Sequence, residues 1–291
     1  MAQNPPLPVV NHDEPHFSFF NAGARVRWAY YHLRHLRGEL DKWFSLSQGA
    51  ISSGPTKSGV EITISAAEMQ YWPIYAVSAD IVHNLRSALD YCWMGLLRGA
   101  ADGAYDGKET YPVGGSREWI IKKVAKLNLG SFRDRALKIV LEEVTVLKGD
   151  VRDVRSPLSI LTDLNNWQKH NALPIMVGDT TIPRITFFGG GFPNVAIQDT
   201  KVPFGGSVTV KSPFRSAHYR FDGGMRHEVR LDGFPPLDDM PLVEALIYLA
   251  DETKRFVEVF YAAFPEAVWF RPERVFGPGM AGHNDQSFGY I

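Results

Sequence analysis

The sequence predicts an α+β fold: a helical bundle with an antiparallel β-meander inserted before the final helix. Three observations carry this. Apolar residues recur at helical spacing through most of 17–171 and again through 239–263. Between them, from Ile175 to Leu231, short β-rich runs are separated by Gly, Pro and Asp turns. The order is helices, strands, helix, without the strand–helix alternation of a parallel sheet.

Each element has its own signal. Val26, Tyr30, Leu33, Leu40 and Phe44 make a buried stripe on a helix from about Asn21 to Phe44. Gln48 to Ser58 reads as a Gly/Ser/Pro loop. Val60 to Ile64 alternates like a short strand. The clearest helix spans about Ile74 to Arg98, with Val77, Ile81, Leu85, Ala88, Cys92 and Leu96 on one face, and glycines from Gly99 to Gly107 stop it. Ser116 is a candidate N-cap for the next helix, and a further helix covers roughly Phe132 to Leu147. Ser156-Pro157 opens a helix that should reach about His170 and end before Pro174. Strands are expected at Arg184–Phe188, Val208–Lys211, Ala217–Phe221 and Glu228–Leu231. Asp238 or Asp239 should cap a last helix through about Ala263, whose core face is Leu242, Leu246, Leu249, Phe256 and Phe260. One domain, 1–291, is expected: a helical part at 17–171, a sheet at 172–232, a final helix at 239–263 returning to the bundle, and extended arms at 1–16 and 265–291.

Composition narrows the function. The chain has 291 residues, 45% apolar and 22% charged, as in ordinary globular proteins. A net charge of -1 provides no bulk field for nucleic acid, so any such contact needs a local basic patch. Cys92 is the single cysteine, which excludes an intramolecular disulfide and a multi-thiolate zinc site and suits a reducing compartment. The first residues do not read as a secretion signal, and no stretch is apolar enough to span a bilayer. A soluble, cytoplasmic protein is expected.

Two polar blocks interrupt the apolar helices: His83-Asn84-Leu85-Arg86-Ser87-Ala88-Leu89-Asp90 and Asn165-Asn166-Trp167-Gln168-Lys169-His170. On the helical wheel His83, Arg86, Ser87 and Asp90 fall opposite the apolar stripe, with Asn84 at its border. Asp90 is one turn from Arg86 and can hold its guanidinium in one orientation. His83 beside that fixed positive charge is biased toward its neutral, basic form. The plainer reading is a surface ion pair next to a solvated imidazole. In the second block Ile160, Leu164 and Trp167 are the expected buried face. Asn165 and Lys169 share one flank; Asn166 and His170 share the next. His170 stands at the helix C-terminus, where the dipole favours the charged imidazolium. One neutral and one charged histidine suit acid–base chemistry, provided the two helices are neighbours. The plainer reading is that Lys169, His170 and Asn171 satisfy the last carbonyls.

The first block resembles the HNLRSALD stretch of a broad group of uncharacterised bacterial and phage proteins. A later helix in that group ends in a motif similar to LxxLxNxDKH, matched here by Leu161 to His170, with Gln168 in place of the usual acid. The resemblance covers roughly 70–175 and implies that the two blocks belong together; it carries no activity or substrate. Arg27 with His32, and Arg220 with His227, have the spacing found in HEPN helical-bundle ribonucleases. Trp28 follows Arg27 where that family favours a small polar residue, and the second match lies among the strands, so neither assigns the chain to it.

Other signals are weaker. Gly114-Gly115-Ser116 with Arg117 is a candidate anion nest, though an ordinary capped helix entry explains it as well. Gly189-Gly190-Gly191 reads as a hairpin or bulge. His12-Asp13-Glu14-Pro15-His16 contains metal-ligand types, but Pro15 disrupts a helix there. Arg27, Tyr31, Arg34, His35 and Lys42 form a basic flank able to meet phosphates, so a nucleic acid or nucleotide is a candidate partner, alongside self-association. No dinucleotide fingerprint or nucleophile elbow is present, and neither a cofactor nor a metal is expected.

Two function classes follow. In the first, preferred by a small margin, the blocks form an interhelical His/Asn/Arg/Lys network in a non-catalytic binding or structural module. In the second, His83 and His170 act as acid and base on a phosphate-containing substrate such as RNA. Arg86 and Lys169 would then stabilise developing charge, while Asn84, Asp90, Asn165 and Asn166 position the substrate. Exposure separates them: a shared open cleft favours catalysis, a sealed and paired network favours structure.

Overall fold

A computed structural model describes residues 17–46, 50–56, 59–65, 72–100, 109–113, 117–144, 156–189, 192–203, 206–211, 218–222 and 226–264. The two terminal arms, the His12–His16 cluster, Ser116 with its preceding glycines, Gly190-Gly191 and most of the Gly99–Gly107 stop lie outside the described residues.

The fold class is α+β. The described helices are α1 (Phe17–Leu46), α2 (Trp72–Ala100), α3 (Arg117–Ala125), α4 (Arg133–Val144), α5 (Pro157–Gln168) and α6 (Leu242–Ala263). The described strands are β1 (Ala50–Thr56), β2 (Gly59–Ser65), β3 (Ile175–Gly189), β4 (Phe192–Val202), β5 (Ser207–Lys211), β6 (His218–Phe221) and β7 (Arg226–Leu231), and their pairings are antiparallel.

The strands do not form the meander expected at 172–232. They make two sheets, one ordered β1-β2-β5 and one centred on β3. Residues 50–56, expected as loop, are strand β1, paired with β2 from Ala50↔Ser65 to Thr56↔Gly59. Gly54 and Pro55 hide this strand from a local reading, because both are poor strand formers. The alternating apolar pattern of β2 forms the template, and a short connection brings the two together. β5 then leaves its sequence neighbours to pair with the other edge of β2. β3 is long enough to pair with β4 along one edge and with both β6 and β7, end to end, along the other.

The apolar faces of the two sheets explain the arrangement. Ile62, Ile64 and Val210 from the first sheet and Ile182, Ile185, Phe187 and Val202 from the second form one buried cluster. Neither face can stay in water, because each buried aliphatic chain gains about 1.5–3 kcal/mol by leaving it. Sheet-on-sheet packing buries both at once.

The chain divides into two compact units. Of the described residues, one unit holds 17–30, 81–166 and 248–264; the other holds 31–80 and 167–247. The division cuts through α1, α2, α5 and α6, so each of these helices contributes residues to both units. The strands described above all fall in the second unit.

Helix ends follow local chemistry in one case and depart from it in another. The Ser159 N–H donates to Ser156 Oγ at 3.2 Å, which is the predicted cap, with Pro157 in the first turn. Asp238 and Asp239 do not cap α6. They lie in a 3-10 turn, Leu237–Asp239, and Met240 is extended after it. The carbonyl of Pro241 accepts the first bond of α6, from Ala245 N–H at 2.9 Å. A proline preceding the first helical residue has no N–H to leave unsatisfied, which favours starting there.

Candidate functional site

α2 is apolar on more than one side. The predicted stripe from Val77 to Leu96 is buried, and so are Val82, Leu89, Trp93 and Leu97 beside it. These flanking residues give the helix a second packing face, and little of it remains for solvent. His83 lies on that remainder and is exposed. Arg86 does not; it is 7% exposed. The expected solvent face of His83, Arg86, Ser87 and Asp90 is therefore corrected: Ser87 and Asp90 are half-buried and Arg86 is inside.

A buried guanidinium must find compensating acceptors. Arg86 Nη1 donates to Asp90 Oδ1 at 2.5 Å, one helical turn away. Arg86 Nη2 donates to the carbonyl of Tyr111 at 3.3 Å. The same Asp90 oxygen accepts the Tyr111 backbone N–H at 2.9 Å. One ion pair thus satisfies both main-chain polar groups of a buried residue outside any helix or strand. With its backbone held, the Tyr111 ring packs edge-on against Trp93 of α2 and Phe256 of α6, at centroid distances of 5.9 and 5.0 Å.

Asn84, 5% exposed, makes a second clamp. Its Oδ1 accepts a hydrogen bond from Arg25 Nη1 of α1 at 2.9 Å. The Arg25 guanidinium also lies over the Tyr91 ring, 5.7 Å from its centroid. Arg25 and Tyr111 are the partners that sequence reasoning missed. Their bonds span 59 residues in one case and 21 and 25 in the other, and no local pattern announces such pairings.

The second block separates by exposure. Asn165 is buried on α5; Asn166, Lys169 and His170 are exposed. The buried side of α5 is Leu158, Ile160, Leu161 and Leu164 with Thr162 and Asn165. Trp167, expected in that face, is 47% exposed. It sits in the last turn, and its indole N–H reaches forward to the Ala172 carbonyl at 3.0 Å, tying the ring to the outgoing chain. α5 ends at Gln168, short of His170. The backbone N–H groups of His170 and Asn171 both donate to the Trp167 carbonyl, at 3.1 and 2.9 Å, so main chain closes this helix end. His83, Asn84, Arg86, Asp90, Asn165 and Asn166 belong to one compact unit, Lys169 and His170 to the other.

On α1, Arg27, Tyr31, Arg34, His35 and Lys42 are exposed, as their spacing predicts. Two of these cationic positions are engaged locally: His35 Nε2 and Lys42 Nζ both approach Glu39 Oε1, at 3.3 and 2.6 Å. His32 has its pKa lowered, chiefly by burial, with Asp80 opposing the shift. Cys92 is fully buried, and burial pushes its thiol up, away from reactive thiolate. Tyr30 donates to Asp251; burial and that carboxylate keep its phenol protonated.

Among the described residues no three His, Cys, Asp or Glu side chains converge as metal ligands would, and no helix is long and apolar enough to cross a membrane. No family model, curated protein sequence or solved structure matches this chain.

Proposed function

We propose that this protein is a non-catalytic binding module, and that the polar block on α2 is a pair of structural clamps. The observation that carries this is Arg86. Its guanidinium is buried and already engaged by Asp90 and by the Tyr111 carbonyl. It cannot reach a substrate phosphate without abandoning a half-buried carboxylate and a buried carbonyl, at a cost of about 1–3 kcal/mol. Asn84 is likewise engaged, by Arg25. Of the polar residues that look functional in the sequence, folding consumes Arg86 and Asn84, while His83, Lys169 and His170 stay exposed. A single buried thiol fits residence in a reducing compartment such as the cytoplasm.

The competing reading is a metal-independent nuclease or phosphate-directed enzyme using His83 and His170. An RNA and nucleotide hydrolysis screen, run with chelator, compares the wild type with His83→Ala and His170→Ala. Equal, background-level turnover by the three proteins is expected. Turnover above background that either substitution abolishes would overturn the binding-module reading.

A further inference from the structure

The cations of this chain are not evenly spread. Residues 117–138 hold seven Lys and Arg against Glu118 and Asp134, a local charge of +5 in a protein whose net charge is -1. The segment comprises α3, a 3-10 turn (Gly130–Phe132) and the first half of α4. Gly130 takes a left-handed φ of +49° at the turn, which lets the chain reverse tightly. Ile120 and Val124 of α3 and Ala136, Ile139 and Val140 of α4 are buried, so the charged residues are left on the outside. All of this lies within one compact unit.

Several of these cations serve the fold. Arg133 donates to the Leu127 carbonyl, Arg135 to that of Ala263, and Lys138 pairs with Glu142. Lys122 and Lys126 are different. Both are exposed, they stand one turn apart at the end of α3, and no acidic partner meets either among the described residues. Trp119 completes the same stripe, three residues before Lys122 and seven before Lys126. It is 44% exposed, and Lys123 lies 5.0 Å from its ring centroid. A half-exposed indole in a cation–π contact, beside two exposed lysines, matches a strand that presents phosphates and unstacked bases together.

We propose that the exposed face of α3 binds single-stranded nucleic acid, with a base stacked on Trp119 and backbone phosphates at Lys122 and Lys126. This rests on the binding-module reading and names a partner for it, at a face separate from the Arg86 clamp. A duplex would offer the lysines phosphates but keep its bases from Trp119, and an acidic polypeptide would offer no base at all.

The test is fluorescence anisotropy of the full chain with a labelled oligo-dT and oligo-U, against a duplex and poly-glutamate. Wild type should prefer the single strands. Trp119→Ala should weaken that binding by about fivefold or more, the loss of one stacked base. Lys122→Gln with Lys126→Gln should flatten the slope of log affinity against log salt by about 1.4, the loss of two phosphate contacts. The side chains changed are exposed, and circular dichroism of the variants confirms an unchanged fold. No single-strand binding, equal binding by the variants, or stronger binding of poly-glutamate or duplex would each overturn the proposal while leaving the binding-module reading in place. Cleavage of the probe lost with His83 would instead overturn that reading and leave the α3 site standing.

Discussion

Replacing Arg86 by alanine separates a structural clamp from a catalytic cation. The substitution takes one donor from Asp90, whose side chain is 32% exposed and keeps the Tyr111 N–H, and one from the buried carbonyl of Tyr111, which keeps the Val113 N–H at 3.0 Å. Removing one partner of a fully buried pair costs about 3–5 kcal/mol. Access of water to Asp90 lowers that toward the bottom of the range. The Tyr111 carbonyl adds little, because the Val113 N–H still reaches it. The expected loss is about 3 kcal/mol. For a chain of 291 residues that corresponds to a Tm lower by roughly 5 °C. Urea unfolding followed by far-ultraviolet circular dichroism reads it directly. His83→Ala, at an exposed position on the same helix, should stay within about 0.5 kcal/mol. The double substitution Arg86→Ala with Asp90→Ala should cost less than the sum of the two singles, since the second removes an already stranded charge. A loss under about 0.5 kcal/mol for Arg86→Ala would refute the clamp and leave Arg86 free to act on a ligand.

Ser156→Ala removes the hydroxyl that accepts the Ser159 N–H and should destabilise the chain by about 1 kcal/mol in the same melt. Asp222 accepts from Thr186 and Arg220, which hold its carboxyl below the ordinary aspartate range; its stabilising effect is present above about pH 4 and lost as pH falls through the depressed value. The protection factors of β6 amides, which correct for the slower intrinsic exchange in acid, should accordingly fall on acidification, and Asp222→Asn should abolish that pH dependence. Cys92 should resist a thiol reagent in the native protein and react fully once urea unfolds it; fast native labelling would contradict its burial.

Much of this molecule is legible in one dimension. The period of the apolar residues locates α2 and α6, the Ser156-Pro157 pair marks the start of α5, and alternation marks β2. The spacing of Arg86 and Asp90 is enough to foresee their ion pair. These are all interactions within a turn or two, where chain geometry alone dictates which side chains meet. Depth is not legible in this way. Arg86 looks like part of a wetted polar face until Val82, Leu89, Trp93 and Leu97 give α2 a second buried side. Strand β1 escapes recognition too, because its Gly-Pro sequence becomes a strand only when β2 supplies the pairing. Local sequence therefore determined the helices, the cap of α5 and the candidate polar residues. The partners Arg25 and Tyr111, the two-sheet pairing and the burial of the clamp were decided by tertiary structure, since burial and pairing depend on residues far along the chain and no short-range periodicity encodes them.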